Sequence, residues 1–137
     1  MQQLLGINMG LPAQLESDLR SLQESGWAVS AHREPPTGNQ IFIVFDKYPL
    51  PPGWNKRETR LLLITDISYP NSRMDMFWVD PDLRLNGERI AQGGGVIETH
   101  LGQQWQRFSW HVQRWNPAVD NVISYLGTVD AGLRQRQ

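Results

Sequence analysis

Three consecutive apolar runs of strand length, with no helical pattern between them, limit the fold of this chain more than any other feature. They are "WAVSAHRE", "QIFIVFD" and "TRLLLITD", and a shorter run, "DMFWVD", follows them. Runs of this kind, rich in β-branched and aromatic residues and bounded by turn residues, predict β-strands. Consecutive strands without intervening helices pair most simply as antiparallel neighbours. The pattern therefore predicts a four-stranded antiparallel meander.

A helix is predicted ahead of these strands. The leucines of its apolar stripe recur at steps of four and three residues: Leu11, Leu15, Leu19 and Leu22. Gly26 stands just after the stripe, where glycine commonly ends a helix, so we expect the helix to run from Pro12 to Ser25. One helix followed by consecutive strands predicts the α+β class with an antiparallel sheet.

The segment that follows residue 98 allows two interpretations. Apolar residues at helical steps favour a helix from about Thr99 to Arg114: Leu101, Trp105, Phe108, Val112 and Trp115. Phe108, Trp110 and Val112 also alternate with polar residues, which is typical of a strand, so a strand-like ending stays open. The helix is the prediction carried forward.

A C-terminal helix is predicted after Trp115. Asn116 is a capping residue, Pro117 suits the first helical position, and Asp120 would favour the helix dipole. The apolar residues that follow face one way on a helix: Val119, Val122, Ile123, Leu126, Val129 and Leu133. The tail, "RQRQ", is expected to fray. The predicted fold is α+β, with an N-terminal helix, a four-stranded antiparallel meander and C-terminal helices.

With 137 residues the chain has the length of one ordinary domain, so residues 1–137 are predicted to form a single domain. Its 13 basic and 14 acidic residues give a net charge of −1, which offers no overall attraction to nucleic acid or an anionic membrane. No segment approaches about 18 consecutive apolar residues, and the N-terminus "MQQLLGINMGLP" lacks an export signal. We expect a cytoplasmic protein that binds neither nucleic acid nor membrane.

The chain contains no cysteine. This composition excludes disulfides, thiolate metal sites and cysteine catalysis. His100 and His111 are eleven residues apart and could not share an ion from one straight helix. We therefore expect neither a metal ion nor a cofactor.

Residues 79–95, "VDPDLRLNGERIAQGGG", form the segment most suggestive of a site. Asp80 and Asp82 flank a proline, and paired carboxylates can serve acid–base chemistry or, more commonly, hydrogen-bond their own backbone in a turn. The three glycines, 93–95, could approach a phosphate, but no Lys-Ser or Lys-Thr follows them. We predict a mobile loop there and not a phosphate site.

A polar stripe is predicted on the helix proposed for residues 99–114. Its members are His100, Gln104, Arg107, His111 and Arg114. Such a stripe is usually a solvated face, although two histidines with two arginines could also bind an anion or tune a reacting group. Arg107, Trp110 and Arg114 are the candidate partner-binding residues. Hydrolysis by histidine lacks an identifiable serine partner.

Taken in order, "YPLPPGWN", "YPNSRMDMFWVDPDLRLNG" and "RWNPAVDNVISYL" resemble the ubiquitin-conjugating (UBC) superfamily, and more closely its bacterial branch, prokaryotic family E. The resemblance spans roughly residues 41–133. The Tyr-Pro pair at 69–70 is similar to the Tyr-Pro before the fourth UBC strand. Residues 115–118, Trp-Asn-Pro-Ala, are similar to the Trp-Ser-Pro-Ala that opens the penultimate UBC helix. The expected fold is therefore UBC-like.

The resemblance also assigns places to the candidate site residues. Asp80-Pro81-Asp82 stands where the family has His-Pro-Asn, and Asn86-Gly87 stands where its Asn-Gly precedes the cysteine nucleophile. The nearest counterpart of that cysteine is Ala91, which cannot form an acyl intermediate. Asp82 corresponds to the asparagine that polarises the oxyanion, and its negative charge would oppose a developing oxyanion.

Three hypotheses follow from this comparison. In the first, the chain is a component of a bacterial ubiquitin-like conjugation system, of a kind sometimes linked to antiphage defence. It would bind the ubiquitin-like modifier or its activating enzyme without carrying a thioester. In the second, the chain is an active carrier in which Ala91 replaces a native cysteine. In the third, His100 or His111, oriented by Asp80 or Asp82, performs non-thiol chemistry. A plain interaction module remains the alternative to all three.

Overall fold

A computed structural model of the chain describes residues 10–111 and 114–135, and these residues adopt an α+β fold. The elements are α1 (Ala13–Glu24), β1 (Val29–Arg33), β2 (Gln40–Pro49), β3 (Glu58–Asp66), β4 (Phe77–Val79), β5 (Val96–His100), β6 (Gln103–Phe108) and α2 (Val122–Gln135). The predicted N-terminal helix and the four predicted strands are confirmed, to within a few residues at their ends. Neither described helix is long and apolar enough to cross a bilayer.

The six strands form one antiparallel sheet in the order β1-β2-β3-β4-β6-β5. The first four strands pair consecutively, as the meander prediction requires. The chain then leaves the sheet through residues 80–95 and returns as β5, which among residues 10–111 and 114–135 pairs with β6 alone. Strand β6 lies beside β4, with Trp78 opposite Arg107. The described sheet thus has two strands more than the four predicted, and these two form the β5–β6 hairpin.

The helix predicted from Thr99 to Arg114 is wrong, because residues 96–108 form that hairpin. A two-residue turn joins the strands, and Leu101 and Gly102 both have positive φ, at 55° and 71°, as a tight hairpin turn requires. Trp105 and Phe108 are one helical turn apart in sequence, but in β6 they occupy opposite faces of the sheet. Of the predicted helical stripe, Val112 lies outside the described residues.

The C-terminal helix begins later than predicted, at Val122. Asn121 caps it through a reciprocal pair of bonds: Asn121 Oδ1 accepts from the Ser124 backbone N–H at 2.8 Å, and Ser124 Oγ accepts from that of Asn121 at 3.0 Å. Asn116 instead starts a separate turn, in which its side chain accepts a bond from the Ala118 N–H. One C-terminal helix, and not several, is present among the described residues. The final two residues of the predicted frayed tail and the first nine of the N-terminus lie outside them.

Both helices pack on one face of the sheet, hereafter the inner face. The main core lies between the helices and this face. Tyr69 anchors this layer. Its hydroxyl donates to the buried Asp18 carboxylate of α1 at 2.6 Å and accepts from the Val122 N–H at the start of α2 at 2.8 Å. Burial, followed by the bond to Asp18, raises the pKa of Tyr69, so the hydroxyl keeps its proton. One side chain therefore joins the two helices.

We expect Tyr69→Phe to lower the free energy of unfolding by about 2 kcal/mol, because it leaves a buried carboxylate and a buried N–H each short of a partner. Urea unfolding measures the loss. Tyr125→Phe is the matched control, since the Tyr125 hydroxyl donates to the Met76 carbonyl and does not join the two helices. A loss no larger than that of the control would contradict the bridging role.

The opposite, outer face of the sheet carries a second, smaller apolar cluster, composed of Phe42, Leu62, Trp78 and Trp105. The Arg60 guanidinium lies 4.1 Å from the centre of the Trp105 ring, a cation–π arrangement. Beside this pair is a surface pocket of about 560 Å³. Its polar lining includes His32, Glu34 and Asp46. The outer face is thus partly apolar and partly charged.

Candidate functional site

The segment from Asp80 to Gly95 connects β4 to β5 and is here called the 80–95 loop. It begins at an ion-pair cluster. The Asp80 carboxylate accepts from Arg60 Nε at 2.7 Å and from Lys56 Nζ at 3.1 Å. Lys56 also contacts Asp82 at 2.6 Å, so one ammonium holds both predicted aspartates. The Asp80 backbone N–H donates to Thr59 Oγ1 at 3.0 Å.

The charges of this cluster reinforce one another. Burial opposes ionisation of Asp80, but the hydrogen bonds from Arg60 and Lys56 outweigh it and lower the pKa of the carboxyl below its ordinary value. Burial likewise opposes the charge on Lys56, and the bonds to Asp82 and Asp80 raise the pKa of its ammonium. Asp80 is therefore a structural anion and not a proton donor poised near neutrality.

The direction of these shifts predicts how stability depends on pH. Asp80 has a lowered pKa in the folded chain, so its stabilisation is present above the unfolded pKa of about 4 and is lost as the pH falls through the folded value. Lys56 has a raised pKa, so its contribution is present below about pH 10 and is lost as the pH rises through the folded value.

We expect Asp80→Asn to lower the free energy of unfolding at pH 7 by about 2 kcal/mol and to flatten the acid limb of the stability curve. Urea unfolding from pH 3 to pH 7 measures both effects. The control is Asp130→Asn, which removes an exposed ion pair between neighbouring turns of α2 and is expected to cost little. Parallel acid limbs for Asp80→Asn and the unsubstituted chain would refute the assignment.

The proline-rich segment between β2 and β3 holds the first part of the 80–95 loop. Asn55 Nδ2 donates to the Asp82 carbonyl at 3.1 Å, and Asn55 Oδ1 accepts from the Arg84 N–H at 2.9 Å. The Asn55 backbone N–H donates to the Arg84 carbonyl at 2.8 Å. Next to it, Trp54 forms an isolated bridge with Leu85. The motif "YPLPPGWN" in this segment contributed to the family resemblance, but nothing in the sequence identified Asn55 as a residue that holds the loop.

Asn86 and Gly87 form the tip of the 80–95 loop. The Glu88 N–H donates to the Leu85 carbonyl at 3.0 Å, which closes a turn with Gly87 at its third position. Gly87 has a φ of 83°, a conformation that glycine adopts without strain and that this kind of turn requires. The Asn86 N–H donates to the Gly53 carbonyl at 2.8 Å, while its side chain is exposed. The Asn-Gly pair is thus held by its backbone.

Gln106 is the residue that ties the 80–95 loop to the sheet. Its side chain is fully buried on the inner face. Its Nε2 donates to the carbonyls of Leu83, at 2.9 Å, and Asp80, at 3.3 Å, and its Oε1 accepts from the Gly95 N–H at 2.8 Å. One carboxamide therefore binds both ends of the loop. Gln106 was not predicted as a site residue, because on the predicted helix it belonged to neither the apolar stripe nor the polar one.

Gly94 explains why the loop contains consecutive glycines. A β-carbon at this position would lie 2.7 Å from Gln106 Oε1 and 3.2 Å from Phe108 Cζ, closer than side chains pack. Gly93 and Gly95 have φ of 84° and 92°, which favour glycine for a different reason. Close packing and backbone conformation thus account for the three glycines. They are held by hydrogen bonds at the Gly94 and Gly95 N–H groups and at the Gly93 carbonyl.

Ala91, the counterpart of the expected nucleophile, lies in the main core and is 3 % exposed. Its carbonyl accepts from the Gly94 N–H at 3.0 Å, which closes a four-residue turn. The neighbouring residues Ile90 and Gln92 are exposed. The methyl group at position 91 therefore points into the protein, on a loop whose flanking side chains point outward.

The structure separates the two candidate histidines from Asp80 and Asp82. His100 Nε2 pairs with Glu98 at 3.0 Å, and its ring packs against those of Phe42 and Trp78 on the outer face. The bonds from His100 and Trp78 and the charge of Arg107 lower the pKa of Glu98 against the opposing effect of its burial. His100 thus belongs to an outer-face cluster and is not oriented by either aspartate.

His111 pairs with Asp75 at 3.0 Å and is exposed. The polar stripe therefore does not exist as one surface: Arg107 lies on the outer face and binds Glu98 at 2.7 Å. Trp110 instead packs on the inner side against Gly132 of α2, where an added β-carbon would lie 3.2 Å from its ring. Arg114 is exposed. The three candidate partner-binding residues thus occupy different environments.

The chemistry available to the described residues is accordingly limited. Residues 10–111 and 114–135 contain no group of three side chains placed to hold a metal ion. The aspartates are ionised and paired with Lys56 and Arg60, and the position of the expected nucleophile carries a methyl group. The loop is held by hydrogen bonds from Asn55 and Gln106 next to the end of the sheet.

Comparison with known proteins and protein families identifies a family that the chain matches. No curated protein and no solved structure matches the chain significantly. A family model, that of prokaryotic E2 family E, matches residues 14–136, which include the whole sheet and nearly all of both helices. The match confirms the resemblance to the bacterial branch of the ubiquitin-conjugating superfamily and supports a role of the ubiquitin-conjugation kind. The chain belongs to prokaryotic E2 family E.

Proposed function

We propose that this chain binds a ubiquitin-like modifier, its activating enzyme, or both, within a bacterial conjugation system, without itself carrying the thioester. Family membership implies interaction with a modifier and an activating enzyme in general terms. The absence of cysteine removes the thiol that would carry the acyl group. The proposed role is that of a conjugating-enzyme-like binding component, in a cytoplasmic pathway that includes antiphage defence among its candidate purposes.

The ordered 80–95 loop around a buried alanine is the observation that carries this proposal. Three polar side chains, those of Lys56, Asn55 and Gln106, hold the loop by hydrogen bonds at separate points. A loop retained only as a connection has no need of such anchoring, because long surface connections are ordinarily mobile. The order is instead what a binding surface requires, since preorganisation reduces the entropy lost on association.

The charge beside the loop supports a non-catalytic role. Asp82, which corresponds to the oxyanion-polarising asparagine, is 71 % exposed and carries the carboxylate that contacts Lys56. A carboxylate at this place repels a developing oxyanion, whereas catalysis of acyl transfer requires hydrogen-bond donors there. Of the two groups that acyl transfer requires, the thiol is thus replaced by an unreactive methyl group and the hydrogen-bond donor by a carboxylate.

The test is a reconstitution with the ubiquitin-like protein and the activating enzyme encoded in the same organism. Isothermal titration of the chain with each protein, with and without ATP, is expected to show a complex with at least one of them. A parallel mixture of all three with ATP is expected to give no hydroxylamine-sensitive adduct on this chain. The absence of measurable association with both proteins would end the proposal, and an adduct would show that the chain is a carrier.

The second candidate, in which Ala91 replaces a native cysteine, is favoured by the place of that residue after the Asn-Gly turn. The native gene distinguishes the two candidates, because a cysteine codon at position 91 would establish the second. It also differs in what it requires of the loop. A thiol at position 91 must become accessible to the modifier's terminus, whereas the side chain there is buried.

A further inference from the structure

Strand β5 lies at one edge of the sheet and offers a free backbone edge among the described residues, since it pairs with β6 alone. The other edge, β1, is better protected. None of its five residues is exposed, and Arg33 binds the carbonyls of Gly10 and Gly38 across its end. In β5, by contrast, three of five residues are exposed. The side chains of the β1 edge are therefore more fully covered than those of the β5 edge.

The hairpin turn identifies which backbone groups of β5 face outward. His100 and Gln103 flank the two-residue turn and form the closing hydrogen-bonded pair. Because such pairs alternate along an antiparallel ladder, Glu98 and Val96 also direct their N–H and C=O groups toward β6. Ile97 and Thr99 direct theirs away from the sheet. Two donors and two acceptors in strand geometry thus face the free edge.

The side chains of β5 do not block this edge. Edge strands are ordinarily guarded by charged side chains or proline, which discourage pairing with another chain. The charged residue of β5, Glu98, is turned back onto the sheet by Arg107 and Trp78. Val96 and Ile97 are 42 % and 46 % exposed, and Ile90 lies exposed beside Gly95. An unguarded edge with aliphatic flanks is the arrangement that binds extended peptides.

We propose that the edge of β5 binds the extended carboxyl-terminal tail of the ubiquitin-like modifier as an additional strand. This inference rests on the proposed function. The tail is a suitable occupant because β5 follows directly from Gly95, so a strand added here leads along the sheet to the 80–95 loop. Aliphatic side chains of the tail would pack on Val96 and Ile97, and its backbone would bond to Ile97 and Thr99.

A second copy of the chain is a poorer occupant of the same edge. Pairing two copies through β5 would join two strands of five residues, roughly 16 Å long, with little else in contact. Specific interfaces between folded proteins bury about 1,600 Å² in total, which such a pairing does not approach. A flexible tail would need only the strand and its flanking side chains, because the body of the modifier would be free to make further contacts elsewhere.

The test uses the ubiquitin-like protein of the same organism, either intact or truncated by its last six or so residues. We expect truncation to weaken binding to the unsubstituted chain by about tenfold or more. Ile97→Lys is expected to weaken binding of the intact protein to the same extent and to leave binding of the truncated protein unchanged. Thr99→Pro, which removes an outward N–H without breaking the β5–β6 ladder, is expected to act similarly.

Ile67→Lys is the matched control, because Ile67 is 45 % exposed and lies in the turn after β3. It is expected to leave both affinities unchanged. Equal binding of intact and truncated proteins would overturn the tail inference while the proposed function stands. If neither form of the modifier binds the chain and the activating enzyme does not bind it either, the proposed function itself is refuted. A dimer detected by sedimentation that Ile97→Lys dissociates would overturn the inference in favour of self-pairing.

Discussion

Replacing Gln106 with methionine is expected to lower the free energy of unfolding by about 3 kcal/mol and to release the 80–95 loop. Methionine keeps the length and approximate volume of the side chain but cannot hydrogen-bond as the carboxamide does. The Gly95 N–H and the Leu83 carbonyl would then lose their bonds at 2.8 and 2.9 Å, and the Asp80 carbonyl its longer one. Each unpaired buried group costs about 1–3 kcal/mol, reduced where water reaches it.

Two measurements separate the global effect from the local one. Urea unfolding gives the change in stability, and hydrogen exchange gives the change in protection of the loop amides at Gly94 and Gly95. Gln104→Met is the matched control, because Gln104 is an exposed residue of the same strand. If Gln106→Met behaves like this control in both measurements, the carboxamide does not organise the loop.

A cysteine introduced at position 91 is expected to react with iodoacetamide about a hundredfold more slowly than one introduced at position 92. Ala91 is almost fully buried in the main core, whereas Gln92, its neighbour, is exposed. A thiol reacts as its thiolate, and burial among apolar groups both hides the sulfur and raises its pKa. Because the chain has no other cysteine, each variant carries a single reactive thiol.

The comparison of Ala91→Cys with Gln92→Cys also bears on the two candidate functions. Slow labelling at position 91 agrees with a site that has no carrier role. Labelling as fast as at position 92 would show that the loop opens, and would favour the hypothesis that the alanine replaces a native nucleophile. Thermal unfolding of both variants confirms that neither difference arises from loss of the fold.

The strands β1 to β4 and helix α1 were predictable because their local patterns have one interpretation. Apolar runs such as "TRLLLITD" are too short for buried helices and are bounded by turn residues, and the leucine stripe of α1 fits only the helical period. The β5–β6 hairpin was not predictable in this way. The apolar residues from 101 to 115 fit the helical period, and those from 108 to 112 also fit the strand period. Pairing of Gln106 and Arg107 with β4 decided in favour of a strand.

In the candidate site, too, some residues were predictable from the sequence and others were not. The resemblance to the family located the 80–95 loop and named Asp80, Asp82, Asn86 and Ala91 in it. The residues that hold the loop come from distant parts of the chain: Asn55 from the segment before β3, and Gln106 from β6. No local pattern in the sequence identifies them, because a polar residue is predicted to be exposed to solvent unless its hydrogen-bond partners in the tertiary structure are known.

The amino-acid sequence by itself determined that this chain has no thiol to carry a modifier, because that depends on composition and not on folding. It also determined the first helix, the meander and the family, since these follow from local periodicity and ordered motifs. Only the tertiary structure decided that Ala91 faces the core and that His100 and His111 pair with Glu98 and Asp75. It also decided that β5 has one edge unpaired by any part of the chain that the structure describes. Burial and long-range pairing decide such features, because they depend on residues far apart in the chain.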